Sequence, residues 1–147
     1  MIDGEYASSR MQWVRDQVEL YERTGGREGA TLRDTGLPVI IVTMKGRKSG
    51  MVRKIALMRV EHDGRYALVG SMGGAPTHPV WYHNLKADPT TVTVQDGPKP
   101  FAVVVHEAEG DERAIWWERA VAAFPPYAEY QQRTTRLIPI LVATPAD

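Results

Sequence analysis

The chain has 147 residues, with 18 basic and 18 acidic side chains and a formal net charge of zero. That length suits one domain with a single core, and the neutral balance gives no bulk attraction to nucleic acid or to an anionic membrane. The absence of cysteine excludes disulfides, thiol nucleophiles and thiolate metal sites.

The N-terminus lacks the apolar region of a signal peptide, and runs such as Leu37–Thr43 and Leu137–Ala143 are too short to span a bilayer. A cytoplasmic protein without a transmembrane segment is expected.

In chain order, Ser8 to Arg23 predicts an amphipathic helix, with Met11, Val14, Val18 and Tyr21 on one stripe and Arg10, Arg15, Asp16, Glu19 and Glu22 elsewhere. Thr24-Gly25-Gly26 ends it, and residues 25–36 read as a loop. Pro38–Met44 and Arg53–Val60 predict strands. In the second, Ile55 and Leu57 lean one way and Ala56, Met58 and Val60 the other. His62-Asp63-Gly64 predicts a hairpin turn leading into a strand over Arg65–Gly70.

A glycine turn at Gly73-Gly74 then leads to a short helix near His78–Lys86, with Thr77 as its cap and Trp81 and Leu85 facing the core. Strands follow at Thr90–Gln95 and Phe101–Glu107, and a helix runs from Gly110-Asp111 to Ala123 with Trp117, Ala120, Val121 and Phe124 on its stripe. Pro125-Pro126 breaks that helix, and a helical turn spans Tyr127–Gln132. Leu137–Ala143 predicts a last strand, where Pro139 implies an edge or a bulge. Strands joined mostly by short turns, with three to four helices between them, predict a mainly β (α+β) domain. Its architecture is a small antiparallel barrel with helices packed outside. One domain spans 1–147, divided into an N-terminal helix and loop (1–36) and a barrel (37–147).

Three motifs carry candidate chemistry. Lys45, Arg47, Lys48, Arg53 and Lys54 fall within ten residues that hold no acid, around Gly46 and Gly50 and the hydroxyl of Ser49. Such a loop suits phosphate or carboxylate, although a solvated hairpin with charged tips has the same composition. Arg53 and Lys54 favour the anion site. Ser71-Met72-Gly73-Gly74-Ala75 permits close backbone approach, and equally a plain tight bend. Tyr127 and Tyr130 share a face of a short helix, either beside a substrate pocket or as aromatics covering a barrel end. His78 and His83 are five apart, a poor spacing for a helical metal pair, and no metal site is expected.

These motifs, in this order, resemble the deazaflavin-dependent nitroreductase and quinone reductase family, split-barrel proteins that use coenzyme F420. The signposts are Gly46-Arg47-Lys48-Ser49-Gly50 with Arg53, then Ser71–Ala75, then Pro79-Val80-Trp81-Tyr82-His83-Asn84-Leu85, then Tyr127 and Tyr130. The resemblance covers about three quarters of the chain, from Pro38 onward. It implies an FMN-binding-like split barrel and hydride transfer from the reduced deazaflavin to quinones, activated enones or nitroaromatics.

It also implies roles. Arg47, Lys48, Ser49 and Arg53, with Gly50 shaping their loop, hold the phosphate and acidic tail. Ala56 and Met58 lie near the ring. Val69, Gly70 and Ser71 border it, and Gly73, Gly74 and Ala75 admit the linker. Val80 and Trp81 pack around the cofactor, while Tyr127 and Tyr130 polarise or protonate the acceptor. Met72 and Thr77 stand where relatives often carry charge, and Met58 where some nitro-reducing relatives carry tyrosine. FMN in the same barrel and a non-catalytic deazaflavin carrier are the alternatives; FMN lacks an acidic tail and leaves several of the cations surplus. Monomer and homodimer are both compatible with the chain, and quinone substrates imply peripheral contact with membranes.

Overall fold

A computed structural model describes residues 2, 4–9, 11–32 and 35–146. Its strands are β1 (Val39–Lys45), β2 (Val52–Met58), β3 (Glu61–His62), β4 (Arg65–Val69), β5 (Val92–Gln95), β6 (Pro100–Glu107) and β7 (Ile140–Pro145). The helices are α1 (Gln12–Thr24), α2 (Val80–Ala87), α3 (Gly110–Ala123) and α4 (Pro126–Gln132), with a 3₁₀ turn at Met72–Gly74. All named strand pairs are antiparallel, in the order β2-β1-β5-β6-β7-β4-β3.

That order explains the curl. β2 and β3 are the opposite edges of the sheet, yet only Arg59 and Val60 separate them in the chain. The sheet therefore bends until its edges approach, giving the curled half of a split barrel expected from the sequence. Asp96 ties the seam. It accepts from Arg59 Nε at 2.8 Å and from the Tyr66 hydroxyl at 2.6 Å. Burial, and then Asp96 itself, push the Tyr66 phenol well above its ordinary value, so it stays a donor. The β3–β4 hairpin turns through Asp63 and Gly64, both at positive φ (53° and 78°), the geometry that suits the right-handed twist of its strands.

Alternation along the strands builds two apolar layers. Val39, Ile41, Met58, Val60 and Ile140 pack with Val18, Tyr21, Trp116 and Tyr127 from the helices. Ile40, Val42, Met44, Leu68 and Leu141 pack with Leu85 of α2. β2 divides as its pattern predicts, Ala56 joining the first layer and Ile55 and Leu57 the second. Each fully buried aliphatic side chain contributes about 2 kcal/mol, so these layers dominate the stability.

Several expectations are corrected. α1 begins at Gln12 rather than Ser8, and Met11 is 55% exposed. The preceding chain is held extended instead: Val52 N–H donates to Glu5 O and Ala7 N–H to Val52 O. α2 begins at Val80, and Thr77 caps nothing, because Pro79 disfavours helical backbone at His78. On α3 the buried tryptophan is Trp116, not Trp117. Adjacent tryptophans let the stripe slide by one residue, and Trp116 is flanked by the Arg65 and Arg119 guanidinium groups. The last strand starts after Pro139 and lies between β6 and β4, so it is neither an edge nor bulged by that proline. β3, only two residues long, raises the strand number to seven. Arg10 of the expected helix and Arg33 and Asp34 of the expected loop lie outside the described residues. Among the described residues, no helix is long and apolar enough to cross a membrane.

Candidate active site

The β1–β2 hairpin carries the cationic loop. Gly50 turns it, with φ of 70° and its N–H donating to Gly46 O at 2.8 Å. The Arg47 N–H donates to Asn84 Oδ1 of α2 at 3.0 Å, which fixes the loop against the first turns of that helix. Between them lies a cavity of about 660 Å³, lined by Ser9, Gly46, Arg47, Lys48, Ser49, Arg53, Val80, His83 and Asn84. Among the described residues, Arg47, Lys48 and Arg53 have no acidic partner within ion-pair distance, whereas neighbouring Lys54 is taken by Glu22 at 2.9 Å. A cationic cluster beside the N-terminal end of a helix has the electrostatics that suit an anion.

A second cavity, of about 680 Å³, adjoins the first and shares Ser9, Arg53, Val80 and Asn84 with it. Its walls are mostly apolar: Met11, Trp13 and Val14 from the N-terminal segment, Ala56 and Met58 from β2, Val69 from β4, Trp81, Phe124, Tyr127 and Tyr130. Ser71, Met72 and Gly73 form the remaining wall. The two cavities make one groove with a cationic end and an apolar end.

The residues predicted to act at this site divide into two groups. Arg47, Lys48, Ser49, Arg53, Ala56, Met58, Val69, Ser71, Gly73, Val80, Trp81, Tyr127 and Tyr130 line the groove. Gly50, Gly70, Gly74 and Ala75 line neither cavity. Gly50 shapes the loop, as above. Gly70 sits between Pro139 and Arg136, its N–H donating to Pro139 O and its carbonyl accepting from Arg136. Gly74 is buried under α4, where an added Cβ would lie 2.6 Å from Tyr130 O. Their need for glycine comes from protein packing. Sequence reasoning missed Arg136, a single polar residue with no motif around it, and quoted Asn84 within the Pro79–Leu85 signpost without giving it a role. It placed the N-terminal helix near the substrate pocket only in kind, without naming Met11, Trp13 or Val14 as lining residues.

The two tyrosines differ. Tyr127 is 5% exposed, against Phe124 at 4.9 Å between ring centroids, and burial followed by the nearby Tyr130 pushes its phenol far above the ordinary value. It therefore remains protonated at any working pH, which leaves the hydroxyl able to donate a hydrogen bond. Tyr130 is half-buried on the rim.

The family model described as F420H(2)-dependent quinone reductase matches residues 13–145. The chain belongs to the F420H(2)-dependent quinone reductase family. It is 34% identical over 137 residues to an F420H(2)-dependent quinone reductase of Mycobacterium tuberculosis, covering 91% of each chain. Among solved structures it resembles an F420-H2 dependent reductase (FDR-A), with 53% identity, a TM-score of 0.68, and coverage of 72% of this chain and 93% of that one. It also resembles a structure described as a domain-swapped dimer, at 49% identity and a TM-score of 0.70, covering 92% of this chain and 99% of the other. The groove offers a cationic half and an apolar half within one barrel.

Proposed function

We propose that this protein is a coenzyme F420-dependent reductase that passes a hydride to quinones and related electron-poor acceptors. One observation carries the reading: an acid-free cationic cavity opens through Arg53 and Val80 onto an apolar cavity floored by Ala56 and Met58. A ligand that fills both must join a flat ring to an anionic tail. The donor set fits, since three cations without an acidic partner among the described residues, together with a hydroxyl, exceed what one phosphate needs and suit a phosphate followed by carboxylates.

When bound, reduced F420 supplies the hydride, from carbon 5 of its deazaflavin ring. Arg47, Lys48, Ser49 and Arg53 would hold the anionic end and so set how far the ring reaches along the groove. Ala56, Met58, Val69 and Trp81 would hold the ring and exclude water, while Ser71 and Gly73 would present backbone at its border. Val80, 73% exposed, covers the junction of the two cavities. Tyr127 Oη donates a hydrogen bond to the acceptor oxygen and keeps its proton. Tyr130, nearer the solvent, relays the proton that the reduced acceptor takes up. Orientation and dehydration of this kind lower the barrier without any nucleophile from the protein.

Tyr127→Phe is expected to lower kcat/KM for a quinone by roughly fivefold to tenfold, the scale of one hydrogen bond. F420 affinity stays within twofold of wild type. Steady-state kinetics beside cofactor titration read this directly, and an unchanged kcat/KM removes the phenol from the mechanism.

Fluorescence titration with F420 and with FMN tests the cofactor. Micromolar F420 binding with much weaker FMN binding is expected; the reverse order would favour a flavin enzyme. Light scattering decides between monomer and homodimer. The cytoplasmic location, and contact with membranes through quinones, belong to the same proposal and are decided by cell fractionation.

A further inference from the structure

The cavity wall at Ser71–Gly73 is strained, and its own secondary structure is a single short 3₁₀ turn. Met72 adopts φ of 43°, a left-handed conformation that costs a non-glycine residue about 1 kcal/mol, and Gly73 follows at 65°. Met72 is half exposed and is not anchored in the core. Beyond the packing of Gly74 under α4, one side chain from the other end of the chain gathers the segment's carbonyls. Arg136 Nε donates to Ala75 O at 2.7 Å, Nη2 to Ser71 O at 2.7 Å, and Nη1 to Gly70 O at 3.0 Å. Nη1 also meets His78 Nδ1 at 2.9 Å; a guanidinium can only donate, so this nitrogen accepts and His78 carries its proton on Nε2. Arg136 is held in turn by Gln131 of α4, whose Nε2 donates to Arg136 O at 2.8 Å. The planar fork thus joins the end of β4, the 3₁₀ turn, the approach to α2, and the helix bearing the tyrosines.

We propose that Arg136, with His78 as its acceptor, is a positioning residue that holds the Gly70–Ala75 wall in the geometry the cofactor requires. The inference rests on the F420 reading above. Arg136 touches neither cavity and acts through the three carbonyls it gathers. A lysine keeps the charge, but its point-like ammonium cannot reproduce a fork that serves three carbonyls and a ring nitrogen together.

The clamp carries a pH dependence. His78 faces Arg136 from the segment before β7, Tyr82 and His83 from α2, and Glu107 from β6, which is itself paired with Lys86. Burial, and then Arg136 and His83, hold His78 below the ordinary histidine value of 6.5, with Glu107 opposing. The native state therefore binds fewer protons here than the unfolded chain. Its contribution is full above about pH 6.5 and is lost as the pH falls through the lower native value. Protonation would set two donors face to face and release the wall.

The test measures amide hydrogen exchange in the apo protein and F420 affinity for wild type, Arg136→Lys and His78→Asn. Gly74 N–H and Ala75 N–H, which donate to Ser71 O and Met72 O, report on the wall. In Arg136→Lys their protection factors are expected to fall at least tenfold and F420 affinity to weaken at least tenfold. Asparagine offers an acceptor oxygen near the Nδ1 position and cannot titrate. The wild-type loss of affinity as the pH falls from about 7.5 through the lowered His78 value is therefore expected to exceed that of His78→Asn, and titration of the ligand itself cancels in the comparison. Unchanged protection in Arg136→Lys overturns the clamp. Lost protection with unchanged affinity reduces Arg136 to a structural residue, and parallel pH profiles remove His78. Failure of wild type to bind F420 at any pH sinks the functional reading instead, and the amide protections still decide whether the clamp exists.

Discussion

Arg53→Glu is expected to weaken F420 binding by about thirtyfold while leaving the melting temperature unchanged or slightly raised. Arg53 is shared by both cavities and stands where the anionic tail must meet the ring. Removing a partly exposed cation forfeits about 1 kcal/mol, and installing an anion opposite the ligand costs a similar amount, together about thirtyfold in affinity. Stability moves the other way. Lys45, Arg47, Lys48 and Lys54 crowd the same loop, so a glutamate relieves repulsion in the empty protein. Raising the ionic strength should narrow the gap between wild type and variant, because screening acts on the charge interaction alone. Calorimetric titration beside thermal melting separates the two effects. A collapse in melting temperature would mean that Arg53 is structural.

Ala56→Trp is expected to cost more, at least a hundredfold in F420 affinity. Ala56 lies on β2, half-buried on the floor of the apolar cavity of about 680 Å³. An indole there occupies space the ring needs, and it does so without displacing core side chains, since the cavity already exists. Filling a void stabilises where it does not overpack, so the melting temperature should hold or rise. Loss of binding in a protein that melts as well as wild type would separate a ring-binding cavity from an incidental hollow in a barrel. Undiminished affinity would place the ring elsewhere.

Much of this site was legible because its chemistry is written in runs. The cluster from Lys45 to Lys54 stands out by its lack of acids, and the two faces of β2, Ala56 and Met58 against Ile55 and Leu57, follow from the strand period. The strand pairs joined by tight turns likewise pointed to an antiparallel barrel. What escaped depends on distant partners. Arg136 looks like any surface arginine until the fold brings it to Gly70, Ser71 and Ala75, more than sixty residues away. Asn84 reads as helix polarity until it accepts the Arg47 N–H. The choice between Trp116 and Trp117 is decided by which ring the fold buries, since both rings carry a guanidinium neighbour. Gly74, expected to admit the cofactor linker, instead answers to the close passage of α4 over it. Local pattern specified the strands; contacts between remote segments specified the wall.

The central claim is that a hydride passes from reduced F420 to a quinone in this groove. The most direct test mixes purified protein, reduced F420 and menadione under anaerobic conditions and follows the return of oxidised F420 by its absorbance. The expected result is oxidation that requires both protein and quinone, saturates with reduced F420, and disappears in Ala56→Trp. Tight F420 binding without protein-dependent oxidation across a panel of quinones would contradict it and leave a deazaflavin carrier in its place.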